Sequence, residues 1–270
     1  MKKIKIKNKK KIVCLTAYNK FTAEIVDNYC DLVLVGDSLG MAYYGNSSTR
    51  SVHLEDIIRH GKSVKKGIKK SILVVDMPFG SYRNKNNAKK NALKIIKETK
   101  CDAIKLEGGS NVAKIISHLV KNNINVMGHI GLLPQKVKSK KDYKILGKDQ
   151  TEQTKIINDL KSIQKAGVFS VVLEAVKEDL AKKIVKNSIV PIIGIGASKN
   201  CHGQILVLED MLGLFDKVPK FVKKYFNLKK EVSNAVKKYS NDVVNGKFPT
   251  NKNIYRWQWT ILKLNSKKKY

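Results

Sequence analysis

Residues 32–45 read LVLVGDSLGMAYYG. Four consecutive apolar residues run straight into Gly36, Asp37 and Ser38. An unbroken apolar run of this length suits a strand covered on both faces, as in a parallel sheet packed between other layers. A carboxylate is seldom buried without a partner. Asp37 is therefore either a turn residue or a ligand delivered by a strand end.

The same pattern recurs along the chain. Eight short apolar runs occupy residues 12–16, 32–36, 72–76, 103–106, 125–128, 170–174, 192–196 and 205–208. Helix-like stretches separate many of them. Residues 54–66 repeat Leu54, Ile57, Ile58 and Val64 at helical spacing, and 151–166 repeat Ile156, Ile157, Leu160 and Ile163. Residues 86–97, 112–121 and 179–186 read similarly. Eight such units in roughly 250 residues predict an α/β fold, a closed (β/α)8 TIM barrel. The rival is a doubly wound sheet, but Gly194-Ile195-Gly196 alone is too short a motif to mark a dinucleotide site. The expected organisation is a single barrel domain over residues 1–270. A Lys-rich extension covers about 1–10, and a tail over about 228–270 is helical and then polar.

Composition narrows the function classes. The 270 residues carry a formal net charge of +32. Nearly all the excess is lysine, the arginines being Arg50, Arg59, Arg83 and Arg256. Arginine is the residue suited to bidentate phosphate and base contacts. The lysines are spread over the chain, alongside abundant Asn and Ile, as AT-rich coding would produce. No specific nucleic-acid partner is expected, although a basic surface would attract small anions. No apolar run approaches the roughly 20 residues of a membrane span, and the first residues lack a signal-peptide core. The expectation is a cytoplasmic enzyme with no membrane partner. Cys14, Cys30, Cys101 and Cys201 form no CxxC pair and read as isolated reduced thiols.

Polar residues interrupt the apolar runs repeatedly at their C-terminal ends. Asp37 and Ser38 follow the second run and Asp76 ends the third. Lys105 and Glu107 close the fourth, His129 follows the fifth, and Glu174 ends the sixth. In a barrel those ends converge on the face that carries the active site. Asp37 and Asp76 are hard oxygen donors suited to one divalent cation with waters and substrate completing its shell. Alternatively, each caps a helix or satisfies a turn. Glu174 suits general-base work, or else pairs with a lysine. Lys105 and Glu107 flank Leu106 and point the same way on a strand, either to hold a substrate anion or to pair with each other.

Taken in order, LTAY, VGDSLGM, LEDIIRH, DMPFGSY, KLEGG, GHIGLLPQ, VLEAV, IGIGA, GQILVLEDMLGL and PKFVKKY resemble the ketopantoate hydroxymethyltransferase family from about residue 11 to 225. The resemblance implies a TIM barrel of the phosphoenolpyruvate/pyruvate type, assembled as a homo-oligomer, usually a decamer. It implies transfer of a hydroxymethyl group from 5,10-methylenetetrahydrofolate to 3-methyl-2-oxobutanoate through a Mg²⁺-stabilised enolate, giving 2-dehydropantoate in pantothenate biosynthesis. By motif, Asp37 and Asp76 resemble the Mg²⁺ ligands, with Glu107 as a nearby carboxylate reaching the metal through water. Ser38 and Lys105 resemble keto-acid contacts, His129 a polar group beside the substrate, and Glu174 the general base.

Some positions depart from the family pattern. Asn19 stands where the family usually has Asp, and Ser198 and His202 replace other residues. These departures bear on the folate side and the rate. A metal-dependent carbon–carbon lyase of the same barrel type is the competing reading. Such lyases carry a reactive loop cysteine, for which Cys201 is the nearest candidate. A basic nucleic-acid binder is the third reading.

Overall fold

The computed structural model describes residues 3–4, 11–137 and 142–255. Most of the Lys-rich beginning and the final polar residues 256–270 lie outside the described residues. The chain divides into two compact units, Met1–Tyr225 and Phe226–Tyr270.

In the first unit, strands β1 (Ile12–Thr16), β2 (Leu32–Val35), β3 (Ile72–Asp76), β4 (Ala103–Lys105), β5 (Val126–Gly131), β6 (Ser170–Glu174), β7 (Ile192–Ile195) and β8 (Gly203–Leu206) form a closed parallel barrel. β8 closes on β1 with Ile12 opposite Gly203. The outer helices are α1 (Lys20–Val26), α2 (Leu39–Ala42), α3 (Leu54–Lys65), α4 (Lys85–Thr99), α5 (Ala113–Lys121), α6 (Gln150–Ala166), α7 (Glu178–Asn187) and α8 (Leu208–Met211). Residues 196–202 join β7 to β8 without a helix. The barrel reading therefore holds, with one crossover reduced to a loop.

Side chains alternate along each strand, and the buried apolar residues sort into two groups. Ile12, Cys14, Leu32, Leu34, Val74, Ala103, Met127, Val172, Ile193 and Ile205 pack together inside the barrel. Val33, Val35, Leu73, Val75, Ile104 and Leu173 belong to the larger cluster shared with helix residues such as Ile57, Ile95, Ile116 and Ile163. Local chemistry fixes the helix ends. Asn84 Oδ1 accepts from Asn87 N and Asp149 Oδ1 from Glu152 N, each at 2.9 Å, capping α4 and α6.

Two strands differ from the sequence reading by more than one residue at an end. β5 continues to Gly131 because its whole length pairs with β6, so His129 lies within the strand instead of following it. β8 begins at Gly203 and ends at Leu206, while Leu208 starts α8. Gly203 and Gln204 carry no apolar signal, and their strand pairing with β1 and β7 decides the register.

The second unit contains α9 (Leu228–Val244), capped by Asn227 Oδ1 accepting from Lys230 N at 3.2 Å. Tyr239 meets Phe248 edge-on with ring centres 5.5 Å apart. Among the described residues no helix is long and apolar enough to cross a membrane.

Candidate active site

On four strands the inward-facing row steps from an apolar residue to a polar one near the C-terminal end. On β3 the row runs Val74 then Asp76; on β4, Ala103 then Lys105; on β5, Met127 then His129; on β6, Val172 then Glu174. The two-residue period of a strand thus places four polar side chains in one layer above the apolar plug. Asp37, Ser38 and Glu107 join them from the loops that follow β2 and β4. All seven side chains border one cavity of ≈ 160 Å³ at the C-terminal mouth, together with Thr16, Tyr143 and Phe221.

Asp76 lies at the centre. Its Oδ1 accepts from Lys105 Nζ at 2.6 Å, and its Oδ2 accepts from the backbone N–H of Asp37 at 3.1 Å. A side chain at position 36 would crowd Ser38 Oγ at 2.9 Å and Asp76 Oδ2 at 3.5 Å, so glycine permits the approach of the two strand ends. Asp37 Oδ2 accepts from Gln135 Nε2 at 2.7 Å. Burial, followed by the charge of Asp76, raises the Asp37 carboxyl to about 7. Burial opposes the charge on Lys105, but Asp76, Glu107 and Asp37 outweigh it and keep the ammonium protonated.

His129 bridges the other two carboxylates. Its Nδ1 is 3.6 Å from Glu107 Oε1, and its Nε2 is 3.3 Å from Glu174 Oε2. Neither ring nitrogen makes an aligned hydrogen bond. Burial lowers the His129 pKa, which favours the neutral ring. Burial and the neighbouring Asp37 hold Glu107 well above the ordinary carboxylate range. Ser38 Oγ shares a 2.7 Å hydrogen bond with the buried Tyr18 hydroxyl.

Sequence reasoning missed Gln135, which ties the site together. Its side chain also donates to Met77 O at 3.0 Å, its backbone N–H donates to Glu107 Oε2 at 3.0 Å, and its Oε1 accepts from Tyr82. Arg50 reaches its carbonyl at 3.2 Å. The available signal was its place at the end of GHIGLLPQ, a motif otherwise read through His129.

The donor chemistry fits a hard divalent cation. Asp37, Asp76 and Glu107 are three buried carboxylates facing one buried ammonium, Lys105. Raised proton affinity at Asp37 and Glu107 is the response of that uncompensated charge to burial. Among the described residues no three His, Cys, Asp or Glu side chains form a complete metal cage by themselves. Two carboxylates with open positions left for water and ligand oxygens instead match the way Mg²⁺ is held.

The departures separate spatially. Asn19 Oδ1 caps α1 by accepting from Thr22 N at 2.9 Å, a task that Asn and Asp perform equally. His202 Nδ1 accepts from Ile192 N at 3.0 Å, at the N-terminal end of β7 and away from the cavity. Ser198 borders a second, wider cavity beside Glu174. All four cysteines are free and buried. Burial raises the Cys201 thiol pKa, contrary to what a reactive loop thiol needs.

Comparison with known proteins follows the same lines. The profile of the ketopantoate hydroxymethyltransferase family matches residues 1–251. The chain is 54% identical over 252 residues to 3-methyl-2-oxobutanoate hydroxymethyltransferase of Pelagibacter ubique, covering 93% of this chain and 97% of that protein. It is 50% identical over 251 residues to 3-methyl-2-oxobutanoate hydroxymethyltransferase 2 of Zymomonas mobilis, covering 93% and 92%. Among solved structures, phosphonopyruvate hydrolase complexed with oxalate and Mg²⁺ aligns with a TM-score of 0.58 at 11% identity, covering 90% of this chain and 88% of that one. 2,3-Dimethylmalate lyase, a member of the PEP mutase/isocitrate lyase superfamily, aligns at 0.57 and 12%, covering 90% and 88%. These structural likenesses concern the fold alone.

Proposed function

The chain belongs to the ketopantoate hydroxymethyltransferase family and is a transferase; from that premise we propose how its own residues carry the reaction. The substrates are 3-methyl-2-oxobutanoate and 5,10-methylenetetrahydrofolate, and the product is 2-dehydropantoate, the first step of pantothenate biosynthesis. The observation that carries the assignment of roles is the layer of Asp37, Asp76, Lys105 and Glu174 around one small cavity.

Asp37 and Asp76 would hold Mg²⁺, with Glu107 near enough to act through water. When bound, the cation supplies positive charge opposite the carboxylate and keto oxygens of the substrate. Lys105 and Ser38 bind the keto acid and fix its orientation. His129, neutral between Glu107 and Glu174, offers its ring nitrogens as polar groups beside the substrate. Glu174 takes the proton from C3, and the electron pair left behind is delocalised toward the keto oxygen. C3 then bonds to the methylene carbon of the folate. Over the whole reaction one water is consumed. Its hydroxyl ends on the transferred carbon; both carbon–nitrogen bonds of the methylene bridge break, and the two nitrogens end as N–H with one proton from C3 and one from the water. Assembly as a decamer and a cytoplasmic location remain parts of this reading, supported by the family resemblance.

The test is proton NMR of 3-methyl-2-oxobutanoate in D₂O with and without Mg²⁺, followed by addition of tetrahydrofolate and formaldehyde. The expected result is Mg²⁺-dependent loss of the C3 proton and then 2-dehydropantoate. A folded, Mg²⁺-loaded sample that gives neither would overturn the proposal.

A further inference from the structure

Asp37, Asp76 and Glu107 share a feature: each carboxylate already has an oxygen engaged by a buried donor. Asp37 Oδ2 accepts from Gln135 Nε2 at 2.7 Å, Glu107 Oε2 accepts from the backbone N–H of Gln135 at 3.0 Å, and Asp76 Oδ2 accepts from the backbone N–H of Asp37 at 3.1 Å. Gln135 thus supplies two of these donors. We propose that Gln135 is a positioning residue that sets the ion selectivity of the site. By holding one oxygen of Asp37 and one of Glu107, it limits each carboxylate to its other oxygen and so favours Mg²⁺ over the larger Ca²⁺. The inference rests on the metal site proposed above.

The two ions make different demands. Ca²⁺ takes about 6–8 oxygens at roughly 2.3–2.6 Å and readily accepts both oxygens of one carboxylate. Mg²⁺ is held in near-octahedral geometry by one or two carboxylates, with waters filling the remaining positions. Asp37 can turn both oxygens to an ion only by giving up the bond from the Gln135 amide. That amide has no cheap alternative. Gln135 is 2% exposed. Its Nε2 donates to both Asp37 and, at 3.0 Å, Met77 O, while Oε1 accepts from the Tyr82 hydroxyl. Flipping the amide would set Oε1 against a carboxylate and a carbonyl oxygen, neither of which can donate. The backbone is held as firmly. Arg50 Nη1 donates to Gln135 O at 3.2 Å, and the guanidinium lies 4.0 Å over the Phe79 ring. Partners that orient ligating groups in this way tune metal affinity by about 10–100-fold.

The experiment is isothermal titration calorimetry of the metal-free, full-length protein with MgCl₂ and, separately, with CaCl₂. Wild type is compared with Gln135→Met and Gln135→Asn. Methionine keeps the length of the side chain and the backbone N–H on Glu107, and removes the amide. Asparagine keeps an amide that is one methylene too short to span Asp37 and Met77. The wild type is expected to bind Mg²⁺ at least about tenfold more tightly than Ca²⁺. In both variants Mg²⁺ affinity should fall about tenfold while Ca²⁺ affinity holds or rises, so the preference falls by about tenfold or more. A merely structural role would weaken both ions by the same factor and leave the preference unchanged, and that result would overturn the proposal. So would a wild-type protein that prefers Ca²⁺, a measurement that needs no variant to fold. Wild-type Mg²⁺ binding and C3 exchange, with a preference insensitive to Gln135, would sink the selectivity role while leaving the metal site and the reaction standing. Wild-type protein that binds neither ion would take the metal site down with it.

Discussion

Carboxylates stand at both ends of the barrel, in opposite circumstances. At the N-terminal end each has backbone partners. Asp27 accepts from the N–H groups of Lys69, Lys70 and Ser71 at 2.8–3.1 Å. Asp31 accepts from Val13 N and Asp102 from Leu73 N, both at 2.9 Å. Burial alone would raise the Asp27 pKa, but the hydrogen bonds from Ser71, Lys69 and Lys70 outweigh it and lower it. At the C-terminal end the carboxylates of Asp37, Asp76 and Glu107 crowd around one ammonium, and the Asp37 carboxyl rises to about 7. One end uses its carboxylates to fasten strand entrances. The other keeps them in a costly arrangement that a divalent cation would relieve. A barrel allows this division because its active-site loops sit at one end and its stabilising loops at the other.

The contrast can be broken most severely at the upper end. Asp76→Ala should reduce Mg²⁺-dependent turnover at least ~100-fold, the scale of losing a main electrostatic contact, with Mg²⁺ binding by calorimetry lost in parallel. Wild-type Mg²⁺ affinity in that variant would contradict the ligand role. Glu174→Gln should slow C3 exchange by about 10²–10⁴ while Mg²⁺ still binds; exchange at the normal rate would assign the base elsewhere.

The lower end should answer in stability. Asp27→Ala removes the acceptor for three backbone donors, of which that of Ser71 is buried, and should cost about 2 kcal/mol, measured by urea unfolding. Because the folded pKa of Asp27 is lowered, its contribution is present above the unfolded value near 3.9 and lost as pH falls through the folded value. A variant with unchanged stability at pH 7 would remove the distinction between the ends.

Asp37 should show the opposite sign and a smaller effect. Its raised pKa means that the metal-free native state holds this proton more tightly than the unfolded chain. Its contribution therefore makes the protein less stable as pH rises from about 4 to about 7. Asp37→Asn should remove that slope and stabilise the metal-free protein by about 1 kcal/mol at pH 8, while turnover is lost. If thermal melts of the variant keep the wild-type slope, the charge crowding resides in Glu107 instead.

Much of the upper layer is legible in the sequence because strands impose a two-residue period. Val74–Asp76, Ala103–Lys105 and Val172–Glu174 are each one step of that period, so an apolar interior necessarily delivers the next polar residue to the mouth. Gln135 is not legible that way. It sits in a 3₁₀ turn (Pro134–Lys136) beyond β5, and its hydrogen bonds reach Asp37, 98 residues away, and Met77, 58 away. The β8 boundary escaped for a related reason: Gly203 and Gln204 enter the strand through pairing, without an apolar signature.

The chain by itself determined the barrel, its inward rows and the side chains that end them, because alternation and apolar runs are local properties of a strand. The tertiary structure decided which of those groups share an ammonium or a hydrogen bond. It alone joined Gln135 to Asp37 and set the second, wider cavity against Glu174. Those relations depend on barrel closure and on loops brought together from distant parts of the chain, and no local pattern encodes such distances.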